Sequence, residues 1–182
     1  MTSTCISAVA TLIVTWALVC RKYRKPFYDG FLITRVSRRT VLVSLLIGVG
    51  YALIALLLMS KFSTGKSLLE QIARTPIGLT YLLVLMIALP PVEELYYRGF
   101  LFPALQKSWG SVAAVLVVTV WFGAAHSAQL MQDPIGILIV ALAGAIWTVQ
   151  RLVTASLTVP LISHLTYNSC LIVATIAEIA MK

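Results

Sequence analysis

Residues 76–98, PIGLTYLLVLMIALPPVEELYYR, combine an uncharged apolar run with two glutamates and an arginine. The run covers 76–92 and approaches the ~20 residues that a helix needs to cross a bilayer. Pro90 and Pro91 should kink or break that helix, which membrane proteins tolerate where the freed carbonyls face protein or a wet cavity. Insertion scales put the cost of each buried charge at roughly 2.5–3.5 kcal/mol. We therefore expect a membrane span whose charged end belongs to a functional site.

The composition indicates an integral membrane protein. Of the 182 residues, 60% are apolar and 11% are charged, whereas a soluble domain carries about 25% charged residues. Six apolar segments are candidate spans, at about 3–20, 41–59, 76–92 (or, as the alternative, on to 106), 111–131, 134–150 and 155–180. The sequence has no evident linker, low-complexity tract or internal repeat. It predicts one integral-membrane domain, 1–182, folded as an all-α polytopic transmembrane helical bundle.

The net charge of +8 comes from basic residues that flank the apolar segments. The loop 21–40 holds seven Lys or Arg and one Asp, whereas the loop 61–75 holds three Lys or Arg. The positive-inside rule places loop 21–40 in the cytoplasm, together with the 107–110 turn and Arg151. The N-terminus, loop 61–75 and the 131–134 turn are then outside. We expect a retained first span rather than a signal peptide, and no nucleic-acid partner.

The only two histidines, His126 and His164, also lie in apolar segments. If the chain forms an antiparallel helical hairpin around the 107–110 turn, Glu93 and His126 are level with each other. His164 lies 13 residues beyond Arg151, which is also on the inner side. At 1.5 Å per residue, all three groups fall roughly 20 Å along their helices from the cytoplasmic end. A shared depth predicts that they belong to a single site.

Helical spacing separates the two carboxylates of EELYYR. Glu94 and Arg98 are four residues apart and share a helix face, so they can form an ion pair. Glu93 lies further round the helix and is free to face a cavity, where a poorly hydrated carboxylate is suited to act as a general base. The alternative is an internal ion-pair cluster that holds two helices together. Tyr96 and Tyr97 adjoin the glutamates and are candidates to shape a substrate cavity.

Two other segments supply polar groups. Phe122 lies one turn before His126 on the same face, and the imidazole can share a water with Glu93. The alternative is a packed histidine that bonds a backbone carbonyl. His164 and Asn168 are four apart and present N–H donors on one face, which suits an oxyanion that develops on a carbonyl. Helix–helix hydrogen bonding is the alternative for this pair.

The motifs EELYYRGFL at 93–101, FGAAH at 122–126 and HLTYN at 164–168 occur in this order. Together they resemble the motifs of the CAAX protease and bacteriocin-processing family, also called the Abi family, whose members are glutamic-type intramembrane proteases. The similarity covers about 90–170, which would be the catalytic core, and the TASL stretch at 154–157 agrees with it. The family more often has Gly and Trp where this chain has Ala155 and Thr158.

The resemblance implies four catalytic residues and one supporting pair. The catalytic residues are Glu93, which would activate water, His126, which would assist it, and His164 and Asn168, which would stabilise the tetrahedral oxyanion. The supporting pair is Glu94 with Arg98. The reaction would be hydrolysis of a peptide bond in a membrane protein or peptide, near the cytoplasmic half of the bilayer and without a covalent intermediate.

Other intramembrane protease chemistries fit the sequence less well. A zinc site would want HExxH or closely spaced ligands, and the sequence has neither, so we expect no cofactor, with zinc as the alternative. A paired-aspartate enzyme would need two aspartates in spans, whereas Asp29 and Asp133 fall in predicted loops. The sequence also lacks a GxSxG nucleophile elbow.

Two other functions stay open. One is a non-enzymatic immunity or scaffolding protein of the same family. The other is a small transporter in which membrane Glu and His residues relay protons, although inverted repeats are lacking. The small size and short loops favour a multi-pass protein of a prokaryotic cytoplasmic membrane. The sequence leaves open the oligomeric state and whether the substrate is prenylated, bacteriocin-related or a C-terminal sorting segment.

Overall fold

The computed structural model describes residues 10–22, 24, 26–63, 72, 73 and 75–181, and regular structure in these ranges is helical throughout. The helices are α1 (Ala10–Arg21), α2 (Phe27–Phe31), α3 (Arg38–Phe62), α4 (Pro76–Glu94), α5 (Phe102–Ala125), α6 (Pro134–Thr154) and α7 (Thr158–Ala180). A π-helical segment, Leu95–Leu101, joins α4 to α5. The predicted all-α fold is confirmed, and residues 3–9 of the first predicted span lie outside the described part.

Four helical stretches are long and apolar enough to cross a membrane, of which the longest is Pro76–Ala125, with 50 residues. The chain reverses direction at Gly110, which lies within α5. This stretch therefore contains two antiparallel spans, one from Pro76 to the turn and one from the turn to Ala125. With the shorter apolar helix α1, the described stretches account for the six predicted segments. Their outward faces carry large apolar side chains, such as Leu46 at 71% exposure and Val120 at 69%. The chain is an integral membrane protein.

The reversal at Gly110 depends on a backbone conformation that glycine adopts readily. Its φ is 80°, a value that a side chain would disfavour. Across the turn, the Gln106 amide donates to the Ser111 hydroxyl at 3.0 Å. Further along the hairpin, the rings of Tyr97 and Phe122 pack with their centroids 5.0 Å apart. The antiparallel hairpin turns where the sequence predicted.

Polar side chains define the outer ends of the helices, which are the ends opposite the Gly110 turn. Thr75 caps α4 by accepting a hydrogen bond from the Gly78 N–H. Asp133 caps α6 by accepting from the N–H groups of Ile135 and Gly136. The Ser63 hydroxyl donates to the same Asp133 carboxylate at 2.6 Å. Capping by Thr and Asp satisfies N–H groups that have no partner within the helix, and here it also ties the end of α3 to the start of α6.

Three helices, α3, α6 and α7, pack through small and polar residues. The Ser163 hydroxyl donates to the Ser44 carbonyl at 2.9 Å, and the Gln150 amide donates to Ser163 at 2.8 Å. Interhelical hydrogen bonds of this kind replace contacts with water that the bilayer cannot supply. Tyr51 of α3 and Tyr167 of α7 lie next to each other, with ring centroids 5.7 Å apart. These contacts hold α3 and α6 against α7.

The segment between α2 and α3 packs against the connection between α6 and α7. The Leu157 N–H donates to the Leu32 carbonyl at 2.9 Å, and the Thr158 hydroxyl donates to the Thr34 carbonyl at 2.7 Å. Phe31 is 1% exposed and packs in a cluster with Leu157. The loop with the highest density of basic residues is therefore attached to the end of α6 and the start of α7.

Candidate active site

Arg98 is completely buried and donates hydrogen bonds in three directions. Its Nη1 lies 3.0 Å from Glu94 Oε1, its Nε lies 3.2 Å from Thr148 Oγ1, and its Nη2 lies 2.8 Å from the Gly144 carbonyl. The guanidinium carbon also lies 4.5 Å from the centre of the Phe122 ring. The predicted ion pair between Glu94 and Arg98 is present, and two residues of α6 accept hydrogen bonds from the guanidinium. A buried charge needs such a set of partners, because leaving it unpaired is strongly destabilising.

Glu94 has a second partner, His164 of α7. Its Oε1 lies 2.9 Å from His164 Nδ1, and because an ionised carboxylate only accepts hydrogen bonds, Nδ1 is the donor. The indole of Trp147 stacks on the imidazole at 3.9 Å with 16° between the planes. These contacts fix the ring so that its Nε2 points towards Glu93. Sequence reasoning missed both the Glu94–His164 bond and Trp147.

His126 is held in a similar way. Its Nδ1 lies 2.7 Å from the Phe122 carbonyl, and because a carbonyl only accepts hydrogen bonds, Nδ1 is again the donor. Its ring packs on the Phe122 ring at 4.6 Å. The bond to a backbone carbonyl, which the sequence left as an alternative to a role in the site, is present. It leaves Nε2 free to face the cavity, so the two possibilities are compatible.

Glu93 lies between the two imidazoles. Its Oε1 is 3.8 Å from His126 Nε2, and its Oε2 is 3.7 Å from His164 Nε2. The exposed fraction is 22% for the Glu93 side chain, 16% for His126 and 4% for His164. Both separations exceed a direct hydrogen bond and suit a bridging water or substrate oxygen. The three groups that the sequence assigned to one site converge.

The depth predicted for His164 was wrong. Because α6 ends at Thr154 and α7 begins at Thr158, His164 lies only six residues into its helix, about 9 Å along it rather than 20 Å. The predicted span 111–131 was also too long, because α5 ends at Ala125 and His126 begins a series of turns. The cause is local. Ala155, at φ 51°, is the left-handed residue that ends α6. α5 instead passes at His126, whose φ is −93°, into a series of turns, and hydropathy reveals neither end.

Asn168 lies one helical turn beyond His164 and also borders the cavity. Its side-chain Nδ2 donates to the Met86 carbonyl of α4 at 2.8 Å. The helix–helix hydrogen bond that the sequence left open for this residue is therefore present. The amide nitrogen carries two hydrogens, so this bond leaves one of them for another acceptor.

A cavity of about 500 Å³ adjoins these groups, and its lining includes Glu93, both histidines and Asn168. Most of the remaining lining is apolar and comes from α4, from the end of α5 and the turns after it, and from α6 and α7. Tyr81 and Tyr167 line the cavity, whereas Tyr96 and Tyr97 do not. The last two pack against each other with ring centroids 4.9 Å apart. The prediction that they shape the cavity was wrong, because the turn of the helix that aims Glu93 inwards directs them elsewhere.

Residues 73–170 match the family described as type II CAAX prenyl endopeptidase Rce1-like. The chain belongs to this family. The matched range contains all three motifs and begins before the predicted core, 90–170. No curated protein and no solved structure matches the chain. The Rce1-like family is one of proteases, so at the level of the family the chain is a CAAX-type intramembrane peptidase.

The donor groups of this Rce1-like chain bear on whether it binds a metal. Among the residues that the structure describes, no group of three or more His, Cys, Asp or Glu side chains is arranged to hold a metal ion. Of the three cysteines, Cys20 and Cys170 lie in the described part and form no disulfide. The expectation of no cofactor stays a prediction.

Proposed function

We propose that the chain is an intramembrane endopeptidase in which Glu93 activates the water that attacks a peptide bond. The observation that carries the proposal is the position of Glu93, with one carboxylate oxygen 3.8 Å from His126 Nε2 and the other 3.7 Å from His164 Nε2. A carboxylate and two imidazole nitrogens at these distances can hold one water between them. The cavity beside them provides space for a peptide.

The proton movements follow from the hydrogen bonds already made. Because Nδ1 of each imidazole donates to an acceptor within the protein, Nε2 is the nitrogen that remains to bind the water. Glu93 takes a proton from this water, and the resulting hydroxide attacks the carbonyl carbon of the substrate. His126, the more exposed of the two histidines, orients the water. General-base assistance of this kind contributes typically about 10²–10⁴-fold to a rate.

The attack leaves negative charge on the former carbonyl oxygen. Nε2 of His164, when it carries a proton, and the remaining amide hydrogen of Asn168 are donors that can stabilise this oxyanion. When the tetrahedral intermediate collapses, the C–N bond breaks and Glu93 returns its proton to the departing nitrogen. The products are a new carboxyl group and a new amine, without a covalent intermediate. Glu94, held by Arg98, keeps the His164 ring in position.

A matched pair of substitutions tests the proposal. Glu93→Gln keeps the shape of the side chain but removes the base, whereas Glu178→Gln makes the same change on an exposed residue near the end of α7. Peptides released from membranes should include wild-type products that vanish with Glu93→Gln and persist with Glu178→Gln. Both variants should insert and unfold at similar temperatures in detergent. Unchanged products with Glu93→Gln would contradict the proposal and support the immunity or scaffolding alternative.

A further inference from the structure

Arg151 is a buried cation that the proposed reaction does not use. It lies in the last turn of α6 and is 7% exposed. In the ranges that the structure describes, no carboxylate lies within ion-pair distance of Arg151, and its Nε has no hydrogen-bond partner. Arg98, which is also buried, has three hydrogen bonds, one of them to a carboxylate. The bundle therefore encloses one arginine with its partners and another without an anion.

An arginine in this position needs an anion. Its guanidinium does not lose its charge in proteins, and a buried charge without a partner is destabilising. The carbonyl groups at the C-terminal end of α6 attract a cation, but they leave Nε without an acceptor. Because a planar guanidinium can bind a phosphate through two parallel hydrogen bonds, a phosphate group is a suitable partner.

Other cations lie beside this end of the bundle. The Thr34 hydroxyl donates to the Ser156 hydroxyl at 2.8 Å, which holds the segment after α2 against the α6–α7 connection. Arg35 follows Thr34 directly, Arg38 begins α3, and both are exposed. Residues 21–40 contain seven Lys or Arg and a single acidic residue, Asp29. The end of α6 therefore lies beside a strongly positive segment of the chain.

The burial of Arg151 distinguishes it from basic residues that only set topology. The positive-inside rule accounts for Lys and Arg in loops, but it does not explain a basic side chain enclosed between helices. Basic pockets between transmembrane helices bind the head groups of anionic lipids. Because α6 ends three residues later, at Thr154, Arg151 lies near the end of a span, where lipid phosphates are found.

We infer that Arg151, with the basic segment 35–39 beside it, binds the phosphate of an anionic phospholipid such as phosphatidylglycerol. The lipid supplies the anion that Arg151 lacks within the bundle. Its acyl chains lie along the apolar outer surface of α6, where Val149 is 43% exposed and Val153 is 72% exposed. This lipid site is separate from the reacting groups, and it does not depend on the proposed function.

Thermal unfolding of the full chain in detergent tests the lipid site without any need for catalysis. Phosphatidylglycerol added to lipid-free wild type should raise the unfolding temperature more than phosphatidylcholine does, because a ligand of the folded state stabilises it. Arg151→Gln should weaken phosphatidylglycerol binding about fivefold or more. The matched control is Lys61→Gln, which removes an exposed cation from the opposite end of the bundle and should leave the affinity unchanged.

The same variant separates lipid binding from a purely structural role. Without lipid, Arg151→Gln should unfold at the wild-type temperature or above it, because the substitution removes an unpaired buried charge. A loss of stability that is the same with and without lipid would overturn the inference, as would equal stabilisation of wild type by the two lipids. If Arg151→Gln does not fold, Arg151→Lys replaces it, since lysine keeps the charge but not the paired hydrogen bonds. Undiminished phosphatidylglycerol affinity in the folded variant would then contradict the site.

Inorganic phosphate distinguishes a lipid head group from a free anion. At the concentration of phosphatidylglycerol that stabilises wild type, phosphate alone should change the unfolding temperature little, because it lacks the acyl chains that pack on α6. Equal stabilisation by phosphate, lost in Arg151→Gln, would show that the site takes a free anion and would overturn the assignment to a lipid.

Discussion

Asn168 makes the hydrogen bond that Pro90 cannot make. In a regular helix the Met86 carbonyl accepts from the N–H four residues later, and that residue is Pro90, which has no N–H. The Asn168 amide on α7 donates to this carbonyl instead, at 2.8 Å. α4 continues through Pro90 to Glu94, and the helical hydrogen bond that it loses at Pro90 is replaced by a residue next to the reacting groups. This relationship gives Asn168 a structural role that is separable from the proposed catalytic one.

The structural role predicts a coupling between positions 90 and 168. Asn168→Ala should lower the free energy of unfolding by about 1 kcal/mol, within the range measured for interhelical hydrogen bonds in membranes. In a Pro90→Ala background the new N–H can satisfy the Met86 carbonyl, so Asn168→Ala should cost markedly less. A double-mutant cycle from unfolding in detergent measures the difference. Equal costs in the two backgrounds would contradict the assignment.

The catalytic role predicts a second effect that the proline substitution does not remove. If Asn168 also donates to the oxyanion, Asn168→Ala should slow cleavage by about 10²-fold or more in both backgrounds. The measurement is kcat with a cleaved peptide identified from the wild-type strain. Recovery of activity in the Pro90→Ala, Asn168→Ala chain would mean that Asn168 acts only through the backbone of α4.

The buried pair Glu94–Arg98 predicts a non-additive change in stability. Glu94→Gln leaves the guanidinium of Arg98, which is 0% exposed, without its carboxylate, and breaking a buried pair in this way costs about 3–5 kcal/mol. Replacing both residues, by Glu94→Gln with Arg98→Met, removes the unpaired charge and should be less destabilising than Glu94→Gln alone. Chemical unfolding in detergent gives the three free energies. A double variant less stable than Glu94→Gln would refute this account.

Gly144 predicts a steric effect on the site. A Cβ atom at this position would lie 2.8 Å from Phe122 Cδ1, and Phe122 supports both Arg98 and His126. Gly144→Ala should therefore lower stability by about 1–3 kcal/mol and reduce cleavage. The matched control is Gly50→Ala in α3, where an added Cβ meets nothing within 4 Å. Unfolding temperature and cleavage should be maintained in the control, and equal losses in both variants would show that packing at Phe122 is not the cause.

The proposed chemistry predicts that strong chelators leave activity unchanged. Water activation by Glu93 requires no metal, so cleavage by purified protein should persist after dialysis against excess EDTA or 1,10-phenanthroline. The measurement is the initial rate before dialysis, after it, and after zinc is added back. Loss of activity with restoration by zinc would favour the metalloprotease alternative, in which a metal activates the water.

Regular helix geometry explains which parts of the site could be predicted. The pairs 93 with 126 and 97 with 122 are each symmetric about the Gly110 turn, and both are in contact. The ion pair of Glu94 with Arg98 follows from four-residue spacing within a single turn. These relationships need only the rise and period of a helix and the position of one turn.

Other contacts of the site depend on how distant segments pack. The bond between Glu94 and His164 joins residues 70 apart in the chain, and no sequence pattern marks Trp147 as the residue that stacks on His164. An apolar run reveals neither the left-handed residue that ends α6 nor the turns that follow α5. The partner of Asn168 could have been predicted from the sequence. Pro90 has no N–H, so the Met86 carbonyl is the one that lacks its helical donor.

The placement of Glu94 and Arg98 on one helix has a consequence for biogenesis. Because they are four residues apart, the anion and the cation can neutralise each other as soon as that turn has formed, before the ribosome has made α6 or α7. The pairing removes two isolated charges from the nascent helix as it leaves the translocon for lipid, and Glu93 is the acidic residue that still lacks its partners, His126 and His164. The bonds to Thr148, Gly144 and His164 form as the later helices arrive, so the order of synthesis matches the order in which the polar centre is enclosed.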